Sequence, residues 1–167
     1  MRNHLLAKFS SARHLLVIAL LAGLSVAAGA EDSKRTIGDW QLVCEEAACR
    51  MRQGLSNPEQ PGVVFGSEIH FEAGGSQPVL NLSFPLGIYL PRGIGLQAGD
   101  QRRDAPVSVC LPDGCKAIVL IDAELQNAFS REKAYSVRVY IGEEKPVELE
   151  FSLAGYRIAY KDMAAAR

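Results

Sequence analysis

The stretch YSVRVYIGEEKPVELEFSL, residues 135–153, contains the pattern that decides the fold. Apolar side chains alternate with polar or small ones on both sides of a break at residues 142–146. The apolar positions are Tyr135, Val137, Val139, Ile141, Val147, Leu149, Phe151 and Leu153. A period of two is typical of a strand with one buried face, and the glycine and proline in the break indicate a turn. We therefore predict an antiparallel β-hairpin.

Other segments extend this strand pattern. The same period occurs in residues 63–72 and 79–84, which we expect to form two neighbouring strands. The continuous apolar run at residues 117–121 predicts a strand covered on both faces. A last strand is predicted at residues 156–160, after Gly155.

Only residues 122–131 indicate a helix. Asp122 can cap its N-terminus, and Leu125 and Phe129 lie four residues apart, on one side of it. About eight to ten short strands with a single short helix predict an all-β fold, an antiparallel β-sandwich. A closed barrel fits the same pattern nearly as well.

The N-terminal thirty residues have the features of a signal peptide. Arg2, Lys8 and Arg13 form a basic region without acidic residues, and the apolar run LLVIALLAGLSVAA follows at residues 15–28. Ala28 and Ala30 supply small residues for cleavage, which we expect after Ala30. The apolar run is shorter than the roughly 20 residues of a membrane-spanning helix, although an uncleaved N-terminal anchor stays open. The sequence thus predicts a signal peptide at residues 1–30 and a periplasmic or secreted product.

The remaining residues, 31–167, are predicted to form one domain. They carry 15 basic and 19 acidic side chains, a net charge of −4. A nucleic-acid-binding protein would show a basic stripe, so we expect no nucleic-acid partner. A chain of this length buries enough surface for one core, and the mature form is not expected to span a membrane.

Four cysteines occur as two pairs of equal spacing, CEEAAC at residues 44–49 and CLPDGC at residues 110–115. The spacing alone permits a zinc site, and a redox centre is a further alternative. An exported chain favours two structural disulfides instead. Of the three possible connectivities, local closure is favoured because opposite residues of a hairpin lie within disulfide distance. We therefore predict the bonds Cys44–Cys49 and Cys110–Cys115.

The second pair contains one inconsistency. Cys110 falls on the same side of its strand as Ser108, whereas Cys115 falls on the side of Ala117 and Val119. A β-bulge would reconcile the two. Trp40, on the same side as Cys44, is expected to be a core residue beside the first bridge.

A catalytic site would depend on His70, the only histidine beyond residue 30. The strand period places His70 with Glu68 and Glu72 on a polar face, where a solvated histidine is the simpler interpretation. A metal or acid–base site that uses these residues with Asp104 is the alternative. No Gly-x-Ser-x-Gly elbow or dinucleotide fingerprint is present, so we expect no catalytic, cofactor-binding or metal-binding residues.

Four blocks in a fixed order carry a family resemblance. They are residues 38–40 followed by Cys44 and Cys49, then FPLGIYLPRGIGLQ (84–97), VSVCLPDGCKA (107–117) and ELEFSLAGYRIAY (148–160). Together they resemble the invasion-associated locus B family of exported proteobacterial proteins, from about residue 37 to residue 161. The resemblance implies a periplasmic or secreted β-rich domain, linked in some members to host-cell entry. It implies no catalytic residues.

Two functional hypotheses follow. The first is a non-enzymatic interaction protein of the bacterial envelope, whose loops contact an envelope protein, a host-surface protein or a glycan. The second is a small periplasmic hydrolase or metal-dependent enzyme that uses His70 with nearby carboxylates. The absence of a catalytic motif and the family resemblance favour the first.

Overall fold

The computed structural model describes residues 33–45, 48–57 and 60–166, and in this part of the chain eleven strands form two antiparallel sheets. The large sheet has the order β1 (Ser33–Ile37), β2 (Trp40–Glu45), β3 (Ala48–Asn57), β4 (Gln60–Phe71), β5 (Pro78–Phe84), β9 (Gly114–Leu120) and β8 (Val107–Leu111). The small sheet has the order β11 (Pro146–Ser152), β10 (Ala134–Tyr140), β6 (Ile94–Ala98) and β7 (Gln101–Ala105). The predicted signal peptide and its cleavage after Ala30 lie outside the described residues.

The hairpin predicted from residues 135–153 is confirmed. Strands β10 and β11 pair antiparallel, with Val137 opposite Leu149 and Tyr135 opposite Phe151. Their alternate side chains are buried, because the sheet turns this face toward the core while Arg138 and Glu148 face solvent. The predicted antiparallel sandwich is also confirmed, and the two separate sheets with open edges exclude the closed barrel.

The core lies between the two sheets and contains a chain of aromatic rings. The Tyr135 ring stacks on Phe129 at 4.8 Å and on Phe151 at 5.3 Å between centroids. Trp40 is fully buried, as expected, and its ring meets Tyr156 edge to face at 6.1 Å. Ring pairs in these geometries add stabilisation beyond that from the buried area.

The predicted helix is present as α1 (Ala123–Arg131). An Asp122 carboxylate oxygen accepts a hydrogen bond from the backbone N–H of Leu125 at 2.8 Å, as an N-cap residue does. The other oxygen accepts from Arg103 on β7 at 2.7 Å. Asp122 therefore both begins the helix and attaches it to the edge of the small sheet.

The prediction of a final strand at residues 156–160 is wrong. These residues begin a second helix, α2 (Tyr156–Ala165), so the expectation of a single helix is wrong as well. The run YRIAY alternates like a strand, but Tyr156, Ala159 and Met163 are buried at helical spacing while Ile158 faces solvent. No helix in the described residues is long and apolar enough to cross a membrane.

The apolar run at residues 117–121 is a strand, as predicted, but its outer face is not covered. Ala117 and Val119 point into the core, whereas Ile118 and Leu120 are 45% and 52% exposed. Strand β9 has neighbours within the large sheet on both sides. No second layer in the described part of the chain covers these two side chains, so continuous hydrophobicity does not mark a doubly buried strand here.

Candidate functional site

Each pair of cysteines forms a disulfide across a hairpin. Cys44 lies opposite Cys49 on β2 and β3, with 4.1 Å between their Cα atoms, and Cys110 lies opposite Cys115 on β8 and β9, at 3.9 Å. The register shifts between Val107 and Val109, and this irregularity brings Cys110 to face Cys115. The parity conflict in the sequence therefore reflects a bulge. In this structure the four sulfur atoms form these two disulfides, so they offer no thiolates to a metal.

The histidine cluster is divided between the two sheets. His70 and Glu68 share the outer face of β4, with 3.6 Å between Nδ1 and the nearer carboxylate oxygen. Arg50 lies 3.6 Å from the other carboxylate oxygen of Glu68 and compensates its charge. Asp104 lies on β7 of the small sheet, and Glu72 follows the end of β4 in an exposed position. Among the described residues no three His, Cys, Asp or Glu side chains are placed to hold a metal ion.

A polar groove on the outer face of the small sheet is the better-formed site. Strand pairing aligns Asp104 on β7, Gly95 on β6, Arg138 on β10 and Glu148 on β11 in one row. Because Gly95 has no side chain, the row contains a gap between Asp104 and Arg138, and a cavity of about 60 Å³ opens there. We call this site the arginine groove.

Three arginines surround this gap. Arg102 and Arg138 project from β7 and β10, while Arg92 comes from the short 3-10 helix at Leu90–Arg92 that precedes β6. The Arg92 guanidinium lies over the Tyr140 ring, 4.9 Å from its centroid, which fixes its position by a cation–π contact. Arg102 donates to the side-chain carbonyl of Gln97 at 3.1 Å. The groove thus collects polar groups from five elements, the 3-10 helix and strands β6, β7, β10 and β11.

The charges in the groove are only partly paired. Arg138 donates from Nε to Glu148 at 2.5 Å, and this hydrogen bond is the main reason that the pKa of Arg138 is raised. Arg92, Arg102 and Asp104 take part in none of the ion pairs within 4.0 Å among the described residues. Two guanidinium groups and one carboxylate are therefore available to a ligand.

The arginine groove was not predicted from the sequence. The relevant signal is the polar half of the alternation in residues 94–98, 101–105 and 134–140, together with an arginine in the block 84–97. That signal marks outward-facing residues. It does not say that β6 pairs with β10, the contact that brings Gly95 beside Arg138.

The fold and the groove define a class: a two-sheet antiparallel sandwich with two hairpin disulfides and a charged outer groove. The family model for the invasion associated locus B (IalB) protein matches residues 40–164. The chain therefore belongs to the invasion-associated locus B family, and the resemblance found in the sequence is confirmed.

Individual relatives agree with this assignment. Invasion protein B homologues from Brucella abortus strain 2308 and from Brucella abortus biovar 1 strain 9-941 are each 30% identical over 141 residues, which cover 81% of this chain and 81% of the relative. The crystal structure of invasion associated protein B from Bartonella henselae matches with a TM-score of 0.70 and 22% identity, covering 80% of this chain and 96% of that one. The structural likeness supports the shared fold.

Proposed function

We propose that this chain is an exported, non-enzymatic binding protein of the bacterial envelope, and that the outer face of the small sheet is its contact surface. The observation that carries the proposal is the arginine groove, in which unpaired Arg92, Arg102 and Asp104 converge on the gap above Gly95. A few convergent polar groups on a rigid scaffold are typical of a binding site.

The alternative of a hydrolase lacks comparable support. Its proposed residues would have to act together, yet Asp104 belongs to the small sheet and His70 to the large one. Glu68 is already engaged by Arg50 at 3.6 Å. A general base also needs a reacting group within reach. Of the four predicted residues, only His70 and Glu68 lie together on the outer face of β4, and neither Glu72 nor Asp104 joins them there.

Export is proposed from two independent features. The first is the signal-peptide pattern at residues 1–30, with small residues before the expected cleavage point. The second is the pair of disulfides, since such bonds persist in oxidising compartments and are rare in the cytosol. N-terminal sequencing of the product released by osmotic shock should begin at Glu31. A product that begins at Met1 and stays with the membrane would contradict export.

The binding role is tested by crosslinking in intact cells. The full chain is expressed with its signal peptide, and the exported product is crosslinked and purified, first as wild type and then as Gly95→Val. Valine suits a strand and fills the gap above Gly95 without a change of charge. We expect the variant to lose a defined partner that the wild type captures.

The chain offers a matched control in Gly54→Val. Gly54 also lies in a strand, on the outer face of the large sheet, and a Cβ there would lie 3.3 Å from a Val64 methyl group, compared with 3.2 Å from the Asp104 carboxylate at Gly95. The Gly54 variant should capture the partner normally. Equal capture by both variants would exclude the arginine groove as the contact surface. A third variant, Ile158→Asp, changes the groove between α1 and α2. Loss of the partner in this variant alone would also exclude the arginine groove.

A further inference from the structure

We propose that the arginine groove binds a carboxylated saccharide, with the sugar carboxylate held by the guanidinium groups of Arg102 and Arg92. The ring hydroxyls then donate hydrogen bonds to Asp104 and to the side-chain carbonyl of Gln97. This inference rests on the proposed function in one respect, that the outer face of the small sheet is the contact surface. It adds the chemical class of the ligand.

The size of the gap selects the group that enters it. A cavity of about 60 Å³ is small, since pockets that enclose a drug-sized ligand measure roughly 300–1,000 Å³. That space accommodates one small polar group, such as a hydroxyl that donates to Asp104, but not a sugar ring or a large side chain. Because the groove is open to solvent above Gly95, the rest of the ligand can lie across the outer face of the sheet.

The charge of the site selects an anion. Guanidinium groups bind carboxylates through two parallel hydrogen bonds, and such charge-assisted bonds are stronger than neutral ones. Arg138 already donates to Glu148, whereas Arg102 donates only to the neutral Gln97 side chain among the described residues, and Arg92 rests on the Tyr140 ring. Arg102 and Arg92 can therefore turn donors toward a ligand without breaking an ion pair.

The acceptors in the groove distinguish an acidic sugar from other anions. Asp104 and Glu148 line the same cavity as the three arginines, so its net charge of +1 matches one negative charge better than a phosphate dianion or a segment with several acidic side chains. The same two carboxylates accept hydrogen bonds from hydroxyl groups, as Ser136 and Gln97 also can. A ligand with one negative charge and several hydroxyls satisfies both sets of groups, and a sugar with a single carboxylate has that composition.

The inference is tested by titration of the ¹⁵N-labelled exported product, followed by NMR, with small probes. Methyl glucuronide should bind with a dissociation constant on the order of 1 mM and shift the amide signals of β6 and β7. Methyl glucoside lacks the carboxylate, and its affinity should be lower by a factor of about ten or more. Glucose 6-phosphate and triglutamate should also bind more weakly. Tighter binding of either one would assign the groove to a phosphate or an acidic peptide and overturn the proposal.

Variants connect the binding to the groove. Arg102→Ala should weaken glucuronide binding about tenfold, and Gly95→Val should abolish it. Arg52→Ala is the matched control, because Arg52 is an exposed arginine on the outer face of the large sheet. Circular dichroism verifies that each variant is folded. Glucuronide binding that is unchanged by Arg102→Ala would overturn the assignment.

The two proposals fail in different ways. If Gly95→Val loses the crosslinked partner but no acidic sugar binds to the wild type, the binding function stands and the ligand class is wrong. If the sugar binds in the groove while crosslinking is unaffected by Gly95→Val, the ligand class stands and the macromolecular contact surface lies elsewhere.

Discussion

Gly38 and Gly155 pack back to back, and neither position has room for a Cβ atom. A Cβ on Gly38 would overlap the carbonyl oxygen of Ala154, and one on Gly155 would overlap the carbonyl oxygen of Ile37. Both glycines have positive φ, +59° and +85°. The backbone N–H of Asp39 donates to Ala154 at 3.1 Å across the same contact. The turn between β1 and β2 is thus fastened to the start of α2, and this contact joins the first and last blocks of the family pattern.

Replacement of Gly155 by Ala should lower the free energy of unfolding by about 3 kcal/mol, since strain at positive φ adds to overlap with the backbone of Ile37. Gly74→Ala is the control, because Gly74 has a φ of +74° but no atom within 4 Å of the added Cβ. That variant should lose only about 1 kcal/mol. Urea denaturation measures both, and equal losses would mean that the close approach to β1 contributes nothing.

Tyr135 and Ser67 connect the two sheets through a hydrogen bond between their buried hydroxyl groups. Tyr135→Phe should cost about 1–3 kcal/mol, because it leaves the Ser67 hydroxyl buried without this partner. The double variant with Ser67→Ala removes both polar groups and should recover part of that loss. A double-mutant cycle by denaturant unfolding measures the coupling. Strict additivity of the two changes would contradict a bond across the core.

Stability should fall at alkaline pH because of two buried phenols. Burial raises the pKa of Tyr135 and of Tyr156 well above the ordinary value of about 10. A group whose folded pKa is raised contributes its full stability below the unfolded pKa, so stability should be unaffected by these groups below about pH 10. Above that pH, each phenol should reduce stability by up to about 1.4 kcal/mol per pH unit. Circular dichroism as a function of pH tests this expectation.

Tyr156→Phe separates the two contributions to the alkaline transition. The Tyr156 hydroxyl is buried and has no hydrogen-bond partner among the described residues. Its removal should preserve stability at pH 7 and make the alkaline decline about half as steep. An unchanged slope in Tyr156→Phe would show that this phenol does not control the transition.

The local disulfides can be verified by tryptic mapping without reduction. Residues 36–50 and 104–116 form two tryptic peptides, and each should contain one complete disulfide. Reduction should then raise the mass of each peptide by two hydrogen atoms without splitting it. Because each bond closes a short loop, with a sequence separation of 5, its removal should cost only about 2 kcal/mol. Recovery of the two peptides joined together would contradict the local pairing.

Local sequence patterns predicted the strands and the helix whose apolar positions are the ones that tertiary packing buries. The hairpin at residues 135–153 alternates over its whole length, and Asp122 marks the start of α1 by its capping chemistry. The run at residues 156–160 was mispredicted, because five residues with alternating apolar side chains fit a strand as well as one side of a helix. Burial at Ala159 and Met163 favours the helix, and that burial depends on strands β2 and β3, against which α2 packs.

The amino-acid sequence by itself determined the hairpin at residues 135–153, the strands at residues 63–72, 79–84 and 117–121, and the first helix, because these depend on patterns of neighbouring residues. Its four ordered blocks also determined the family. Only the tertiary structure decided the arginine groove. Its members come from segments up to 56 residues apart, as between Arg92 and Glu148. Strand order and register bring them into one row, and Gly95 matters only because Asp104 and Arg138 lie on either side of it. Such pairing is set by packing of the whole sheet, so no local pattern encodes it.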